Sequence, residues 1–458
     1  MIDLKNVEKY RENNRIEAKK ALGGLPESIW ETYSAFANTL GGVILLGVEE
    51  YRDKSFHVVD LPDPCGLIER FKRSLNDKKK VSTNILSDRD ITIENFEGKR
   101  FVAINIPKAS RFDKPVFIDG NITSGTYRRG GEGDYRCKPD EIESMKRDSE
   151  QISPDSELCK DLKITDLSDE TIEKYREKVA LERNISSFSE EELLMRVFKS
   201  PYDGSFAINF ASLLMFGKKD SIKKYFPFFS PIIIDIIDDA SIKYEAENLF
   251  DLYLTAEKVI MKNLSSLCMK ANEKKIVFEA ISEAIANAMI HSDYRSRVSI
   301  GIECSEIGLK ITNAGSLRFS KESILGGGMT DRRNEMIARL LDLASVGSGG
   351  VKGIYEVWRK KKWQPPQVIE SFSPDTVTVI LNFSEGNGDV SGTDALIDSR
   401  KKAIIDYITE KIEVTSSDIA SLLGIKRETA QKILQIMIID DILTLEKIGN
   451  RHIYKLKS

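Results

Sequence analysis

Cysteine and histidine are scarce in these 458 residues, and neither is arranged for a metal. Cys65, Cys137, Cys159, Cys268 and Cys304 are scattered, odd in number and never spaced as C-x-x-C. That pattern points to free thiols in a reducing compartment and excludes a disulfide framework. With His57, His291 and His452 as the whole histidine complement, the ligands for a zinc site are lacking. Long apolar runs are missing too. Val43 to Val48 and Pro231 to Ile237 are the longest, far short of the roughly 20 residues a membrane span needs. The opening Met-Ile-Asp-Leu-Lys-Asn-Val-Glu has no apolar core of a signal peptide, so the chain is expected in the cytoplasm with no membrane partner. Nor is positive charge in excess. Lysine and arginine number 68 against 72 acidic residues, a net charge of -4, which excludes a uniformly basic protein and confines any nucleic-acid contact to local surfaces. What is present, 41% hydrophobic and 31% charged residues, is the balance of a folded globular protein, over a length that allows about three or four domains.

One stretch organises the rest. In Glu279 to Arg295, Ile281, Ala284, Ile285 and Ala288 recur at three- and four-residue spacing and predict a buried helical stripe. Glu279, Glu283, Asn287 and His291 step by four along another face. A solvated amphipathic helix would show the same spacing. Asn287 argues for a site instead, because a mid-helix Asn competes for the backbone and nothing local compensates for it. The motif Glu283-x-x-x-Asn287-Ala-x-x-His291, followed by Asp293-Tyr294-Arg295, resembles the N-box of the GHKL ATPase superfamily, in the divergent branch that accompanies Schlafen/AlbA-type domains. The resemblance implies ATP and magnesium as cofactors, with Asn287 as the magnesium ligand and Glu283 as the general base. One amide oxygen beside phosphates and waters suits that metal.

The N-terminal region, 1–148, reads as a helix beginning near Pro26, then the Gly41-Gly42 break, then a buried strand to Val48. Arg100 to Ile106 and Pro115 to Ile118 predict further strands, and Tyr127-Arg-Arg-Gly-Gly-Glu-Gly a flexible basic turn. The pattern E-x4-E-x-K, then A-F-A-N-x-x-G-G and a strand ending in G-V, resembles the Schlafen/AlbA-type nucleic-acid-binding domain. In the ribonuclease branch of that family two glutamates five apart join a third acid to bind metal. Glu12 and Glu17 match that pair, with Glu49 or Glu50 near the third position; a solvated charge cluster in a binding-only domain is the other reading. Arg15, Lys19, Lys20, Arg128 and Arg129 are candidate phosphate contacts.

Asp148 to Glu157 is polar and aperiodic, a linker pattern that opens a mainly helical region, 155–270. Within it Ser187 to Phe198 and Asn248 to Lys270 predict helices, and Pro231 to Ile237 a strand. Ile208 to Lys218 resembles the helix-to-glycine segment between the AlbA-type and ATPase parts of the same family; packing and dimer formation are its assignments, so a homo-oligomer is expected. Region 271–384 follows. Its strands are expected at Val298 to Glu303, Gly308 to Thr312 and Thr376 to Phe383. By the same resemblance Thr312 or Asn313 lies where an adenine-reading Asp stands in D-x-G-x-G, with Gly315 in that turn and Ser316 where a second Gly is common, Arg332 and Asn334 near the lid, and Gly347, Ser348, Gly349 and Gly350 in a second glycine box. Glycine loops before helices offer backbone amides and a helix N-terminus to phosphates. The missing Asp puts a neutral side chain where an anion would read the adenine amine.

Beyond a Gly-rich tether at 384–393, region 397–458 shows three helical stretches, Arg400 to Ile412, Ser417 to Leu423 and Arg427 to Ile439, then two alternating segments about Gly449-Asn450. It resembles a winged helix-turn-helix domain. Lys426, Arg427, Thr429 and Gln431 would begin the recognition helix, and Arg451 and Lys455 would follow the DNA backbone from the wing. Such domains also dock proteins. The expected architecture is thus a multidomain α+β chain: an AlbA/Schlafen-like domain, a connecting region, a GHKL-type sandwich and a winged helix. The expected function is an ATP-binding, DNA- or RNA-binding, transcription-regulator-like protein with at most slow magnesium-dependent ATPase activity. An ATP-gated endoribonuclease, as in phage defence, and a scaffold with a degenerate nucleotide site are the alternatives.

Overall fold

The computed structural model describes residues 15–52, 55–131, 133–159, 161–184, 207–237, 240–267, 269–318, 331–347 and 350–385, and in the C-terminal part 404–405, 407–409, 411, 413–423, 430, 434, 437, 443–448 and 451–456. It is a mixed α/β chain with its core in separate clusters.

The first body begins with β1 (Ile16–Lys19), α1 (Ile29–Asn38), β2 (Gly42–Leu46), β3 (Val48–Glu50) and β4 (Phe56–Val58). It continues with α2 (Pro64–Leu75), β5 (Ile91–Phe96), β6 (Lys99–Ile106), β7 (Tyr127–Gly130), β8 (Gly133–Arg136) and α3 (Pro139–Ser149). Its main sheet has the order β1-β2-β6-β5, with β1 parallel to β2 and the other pairs antiparallel. The helix break at the paired glycines follows from crowding and backbone sign: Gly41 has φ +74, and a Cβ there would lie 2.6 Å from the Ile106 carbonyl. Asn38, at the end of α1, is wholly buried and stitches three segments together. Its amide donates to the carbonyls of Val116 (2.7 Å) and Tyr127 (3.0 Å), and its oxygen accepts from the Val116 N–H (2.9 Å). Residues 115–118 therefore attach through Asn38 and two isolated bridges, Val81 to Ile118 and Phe117 to Thr126, and form no regular strand.

The expected flexible turn after Tyr127 is a hairpin instead: β7 and β8 pair from Tyr127 with Arg136 to Gly130 with Gly133. Its basic residues are pinned by carboxylates and so cannot act as a loose loop. The expected linker at 148–157 is also packed. Asp148 and Asp155 are buried, the first on Arg318 and Arg333, the second on the N–H of Ile337, 2.8 Å away. A polar stretch reads as a linker only while the partners that neutralise it, almost 200 residues distant, are out of view.

The second body comprises α4 (Asp169–Arg183), α5 (Phe210–Phe216), α6 (Lys219–Tyr225), β9 (Ile232–Ile237), β10 (Ala240–Glu245), α7 (Leu249–Ser266) and α8 (Ala271–His291). After these come β11 (Gly301–Ser305), β12 (Gly308–Ala314), α9 (Glu335–Leu343), α10 (Gly350–Lys360), β13 (Gln367–Phe372) and β14 (Asp375–Asn382). Its sheet has the order β10-β9-β11-β12-β14-β13, antiparallel except for β9 with β11. Helix α7 packs on β9 and β11, and α8 on β12, with α9 and α10 against α8. The strand expected from Val298 starts three residues later, at Gly301. In the C-terminal part, α11 (Ser416–Leu423) accompanies an antiparallel pair, β15 (Leu443–Ile448) and β16 (Arg451–Leu456), over a core including Ile404, Ile419, Leu434 and Tyr454. The helix expected at 187–198 lies outside the described residues, as do most positions of those at 400–412 and 427–439. No helix among the described residues is long and apolar enough to cross a membrane.

Ion pairs join the two bodies. Lys108 meets Glu370 at 2.9 Å, Arg147 meets Asp293 at 2.7 Å, and Arg128 forks onto Asp375 at 2.7 and 2.9 Å while donating to the Phe372 carbonyl. Such bidentate geometry is the strong form of an Arg–carboxylate contact.

Asn38→Ala is expected to leave buried backbone groups of Val116 and Tyr127 unpaired and to lower the unfolding free energy by about 3 kcal/mol, several unsatisfied groups at roughly 1–3 kcal/mol each. The shift of the urea midpoint at unchanged slope measures it. A shift under about 1 kcal/mol would mean that the two bridges and the Ser34 and Ser82 contacts hold 115–118 without Asn38.

Candidate functional site

Helix α8 is the longest described, and its alanines let neighbours approach closely. Val277, Ile281, Ala284, Ile285 and Ala288 are buried in the second core, as their spacing requires. Glu283 is buried with them, 6% exposed. Its Oε1 accepts from the Asn287 amide at 2.9 Å, one helical turn on, while its Oε2 is buried with no hydrogen-bond partner among the described residues. A buried ionisable oxygen left unpaired costs free energy and leaves an acceptor open to a further partner.

Gly347 supplies the adjacent wall. It has φ +73, and a Cβ there would lie 2.4 Å from the Ala286 methyl and 3.3 Å from Glu283 Oε2. Only glycine fits both the backbone sign and the gap. Three residues later Gly350, φ +66, opens α10. The arrangement thus puts a glycine turn, three residues before a helix N-terminus, next to a carboxylate whose other oxygen accepts from an amide. Amides and helix dipole suit an oxyanion, and the amide oxygen with the carboxylate suits a hydrated divalent cation and a proton acceptor.

The other positions singled out in the sequence divide by what they already hold. Thr312 bonds Thr378 across the sheet at 3.0 Å, and the Asn313 amide, buried, donates to the Ala314 carbonyl at 3.0 Å. Gly315, φ +107, turns the chain off β12 beneath the guanidinium of Arg333. Arg332 pairs with Asp342 at 3.2 Å. Asn334 caps the far end of α8, its amide donating to the carbonyls of Ile290 (3.0 Å) and Ser292 (2.8 Å). Ser348 and Gly349 lie outside the described residues.

In the first body Glu17, on β1, is bracketed by Lys19 at 3.0 Å and Arg129 at 2.9 Å, and Glu49 by Lys20 at 3.1 Å. Glu12 lies outside the described residues. A carboxylate already paired with two cations has little charge left for a metal. Of the five cations expected to meet a nucleic acid there, Arg15 and Lys20 are exposed, while Lys19 also bonds Ser28. Arg128 and Arg129 are 6% exposed each, the first spent on Asp375 and the second on Glu17 and Asp134. That corrects the expectation of outward phosphate contacts. In the last part Lys455 lies 3.7 Å from Glu413, Arg451 contributes its backbone to the strand pair, and Lys426, Arg427, Thr429 and Gln431 fall outside the described residues. Sequence reasoning missed Asp148, Asp155, Arg318, Arg333 and Asp375, whose partners are too distant in the chain for any local pattern to flag them.

His291, half-buried at the end of α8, has its pKa pushed down to about 4 by burial and by Arg333 and Arg318, partly offset by Asp331. It is therefore neutral at physiological pH. Asp155 is pushed up to about 6 by burial, against bonds from Ser153 and the amides of Ile337 and Met336.

Residues 12–138 match the family model for Schlafen, AlbA_2, and 143–232 match that for a Domain of unknown function (DUF8451). The chain thus carries a Schlafen/AlbA-type domain in its N-terminal part. A comparison with curated proteins finds no match. Among solved structures, the crystal structure of the DIP2311 protein from Corynebacterium diphtheriae is 15% identical, with 97% of this chain and 92% of that one covered and a TM-score of 0.39. The N-terminal domain of an ATP-dependent DNA helicase RecG-related protein from Nitrosomonas europaea, solved in solution by NMR, is 27% identical over 30% of this chain and 95% of its own, with a TM-score of 0.24.

The two shifted groups have opposite signs in stability. A histidine with a folded pKa below its unfolded value of about 6.5 binds fewer protons when native, so its contribution is intact above about pH 6.5 and is lost as the pH falls towards 4. Asp155, with a raised pKa, binds a proton earlier when native and adds stability below about pH 6. His291→Gln removes the first effect alone. The melting temperature of the variant relative to the native protein is expected to rise as the pH is lowered from 6.5 to 4.5; parallel curves would refute the desolvation of His291.

Proposed function

We propose that this protein is an ATP-binding, nucleic-acid-binding regulator in which the nucleotide state of the second body controls its contacts with the Schlafen/AlbA-type domain. The observation that carries the nucleotide half is the unpartnered Glu283 Oε2 facing Gly347, with Asn287 one turn away. Asn287 would hold the magnesium, which when bound neutralises phosphate charge. Glu283 would hold the proton of an attacking water at its free oxygen, and Gly347, Gly349 and Gly350, with the start of α10, would receive the phosphates. The carboxylate is poised but boxed in by Ala286 and Gly347, so turnover is expected to be slow.

The nucleic-acid half rests on the Schlafen, AlbA_2 match and on exposed cations at Arg15 and Lys20. The C-terminal α11 with β15 and β16 supports the winged-helix reading and a second contact to DNA. Ion pairs across the seam couple the parts: a nucleotide that binds one arrangement better than another shifts the population between them. For the ribonuclease reading the pairing of Glu17 with Lys19 and Arg129 is unfavourable, and it is set aside.

Labelled ATP titrated against the full chain is expected to bind with magnesium and at least tenfold more weakly without it. Asn287→Ala is expected to bind as weakly as the metal-free protein, and Gly347→Ala not measurably. Equal affinity of Asn287→Ala and native protein in magnesium would refute the site.

A further inference from the structure

At the seam between the two bodies, charged side chains touch in series. Arg111 Nε donates to Asp331; Asp331 accepts from Arg318 Nη1 at 3.0 Å; Arg318 Nε donates to Asp148 at 2.8 Å; Asp148 lies 3.1 Å from Arg333 Nη2. Three guanidinium groups share two carboxylates. The nearby acids are committed elsewhere: Asp293 to Arg147, Asp342 to Arg332, and Asp155 to Ser153 and the first turn of α9.

Arg333 is the most telling member. Its side chain is 5% exposed, and its Nε–H is buried with no acceptor among the described residues. The flat guanidinium rests on Gly315, where a Cβ would come within 2.7 Å of Nη1. Arg147, whose Nε–H is likewise buried without an acceptor, joins Arg333, Asp148, Ser292 and Asn334 in lining a cavity of about 150 Å³. Glu150, Asp155, Glu157 and Asp293 also line this space, so the case for a bound anion rests on the two unused, buried guanidinium donors and the space beside them.

We propose that Arg318 and Arg333 form an oxyanion site for a phosphate group, and that Asp148 occupies it in this structure as an internal substitute. Asp148 gives a single oxygen, Oδ1, to both arginines, while its Oδ2 accepts from Ser316. A phosphate offers more oxygens and more charge, so it competes with Asp148 for the same donors. His291 feels the same guanidinium groups: after burial, Arg333 and Arg318 contribute most to keeping it uncharged. Inorganic phosphate and the phosphate of a nucleotide share this chemistry, and the second source alone rests on the ATP reading. Displacing Asp148 would release the side-chain contacts of the end of α3 with Arg318 and Arg333 while Arg111 and the Arg147–Asp293 pair still hold it, so the site links anion binding to one of the contacts that dock the Schlafen/AlbA-type domain.

The test is calorimetric titration of the full chain with sodium phosphate, magnesium ATP and adenosine, using native protein, Asp148→Asn, Arg333→Gln and the double variant. Asp148→Asn is expected to raise affinity for both phosphate-bearing ligands at least fivefold and leave adenosine unchanged. Arg333→Gln is expected to cancel that gain in the double variant and to weaken binding at least fivefold alone, with Arg333→Lys restoring part of it. Should Asp148→Asn not fold, as its unfolding transition would show, the Arg333→Gln and Arg333→Lys comparison decides. Binding of phosphate through Arg333 without any binding of ATP keeps the oxyanion site and removes the nucleotide reading. Binding of ATP that depends on Asn287 but is indifferent to Arg333 and Asp148 keeps the nucleotide reading and overturns this one.

Discussion

The constraint on which the second body depends is the approach of residue 347 to helix α8. A Cβ at 347 would sit 2.4 Å from the Ala286 methyl, so glycine and alanine have to face each other for the turn and helix to meet. That closeness fixes where α10 begins and brings the turn to Glu283. A bulkier residue at either position would push the turn outwards and let water reach the carboxylate, and the unpaired oxygen would then be merely solvated. Interiors are packed densely enough that one methyl group decides such a question.

The seam between the bodies depends on a different kind of contact. Its pairs are buried enough to be directional, yet each carries a desolvation penalty that its Coulomb attraction only roughly offsets. Apolar packing would have held the bodies together as well or better. What charges add is orientation and the capacity to be exchanged. The fork of Arg128 on Asp375 and the pairing of Lys108 with Glu370 fix β13 and β14 against the first body. The Asp148 contacts lie beside them at the turn after β12, where Asp148 meets Arg318 and Arg333. The forked and paired contacts thus stand next to the ones that the proposed anion would replace.

How much of this was legible follows from the range of the interactions. Local periodicity marked α8, the break at Gly41-Gly42 and β9, because apolar spacing and glycine chemistry act within a few residues. Local pattern also drew attention to Glu283, Asn287 and Gly347, although the touch between Ala286 and Gly347 was invisible in it. The failures are alike. Arg128 and Arg129 read as a basic turn and Asp148 to Glu157 as a linker, since a charge looks solvated until its partner is known. The partners of Arg128 and Asp148, namely Asp375, Arg318 and Arg333, lie about 170 to 250 residues away in sequence, whereas Arg129 is held by the remote Glu17 and by Asp134 in its own hairpin, which only the β7–β8 pairing brings opposite it. Burial of paired charge is a property of the fold that no window of a sequence displays.

Reciprocity gives the seam its functional meaning. If an anion binds Arg318 and Arg333 only when Asp148 has left, then whatever holds α3 in place must weaken the anion's binding by the same free energy. On the proposed reading, nucleic acid bound to the Schlafen/AlbA-type domain would act on the proposed anion site in this way without touching it, in a direction set by whether it favours the docked or the released position of α3. The exchange of one partly buried charge contact bounds the size of the effect. Coupling of about 1–3 kcal/mol, or roughly 5- to 150-fold in affinity, is the range that two-site linkage usually reaches. A contact of that strength can bias the equilibrium between two arrangements, whereas complete reversal from one to the other would take about 5.5 kcal/mol. The seam is therefore built to grade a response, and a full switch would have to draw on the Lys108 and Arg128 pairs as well.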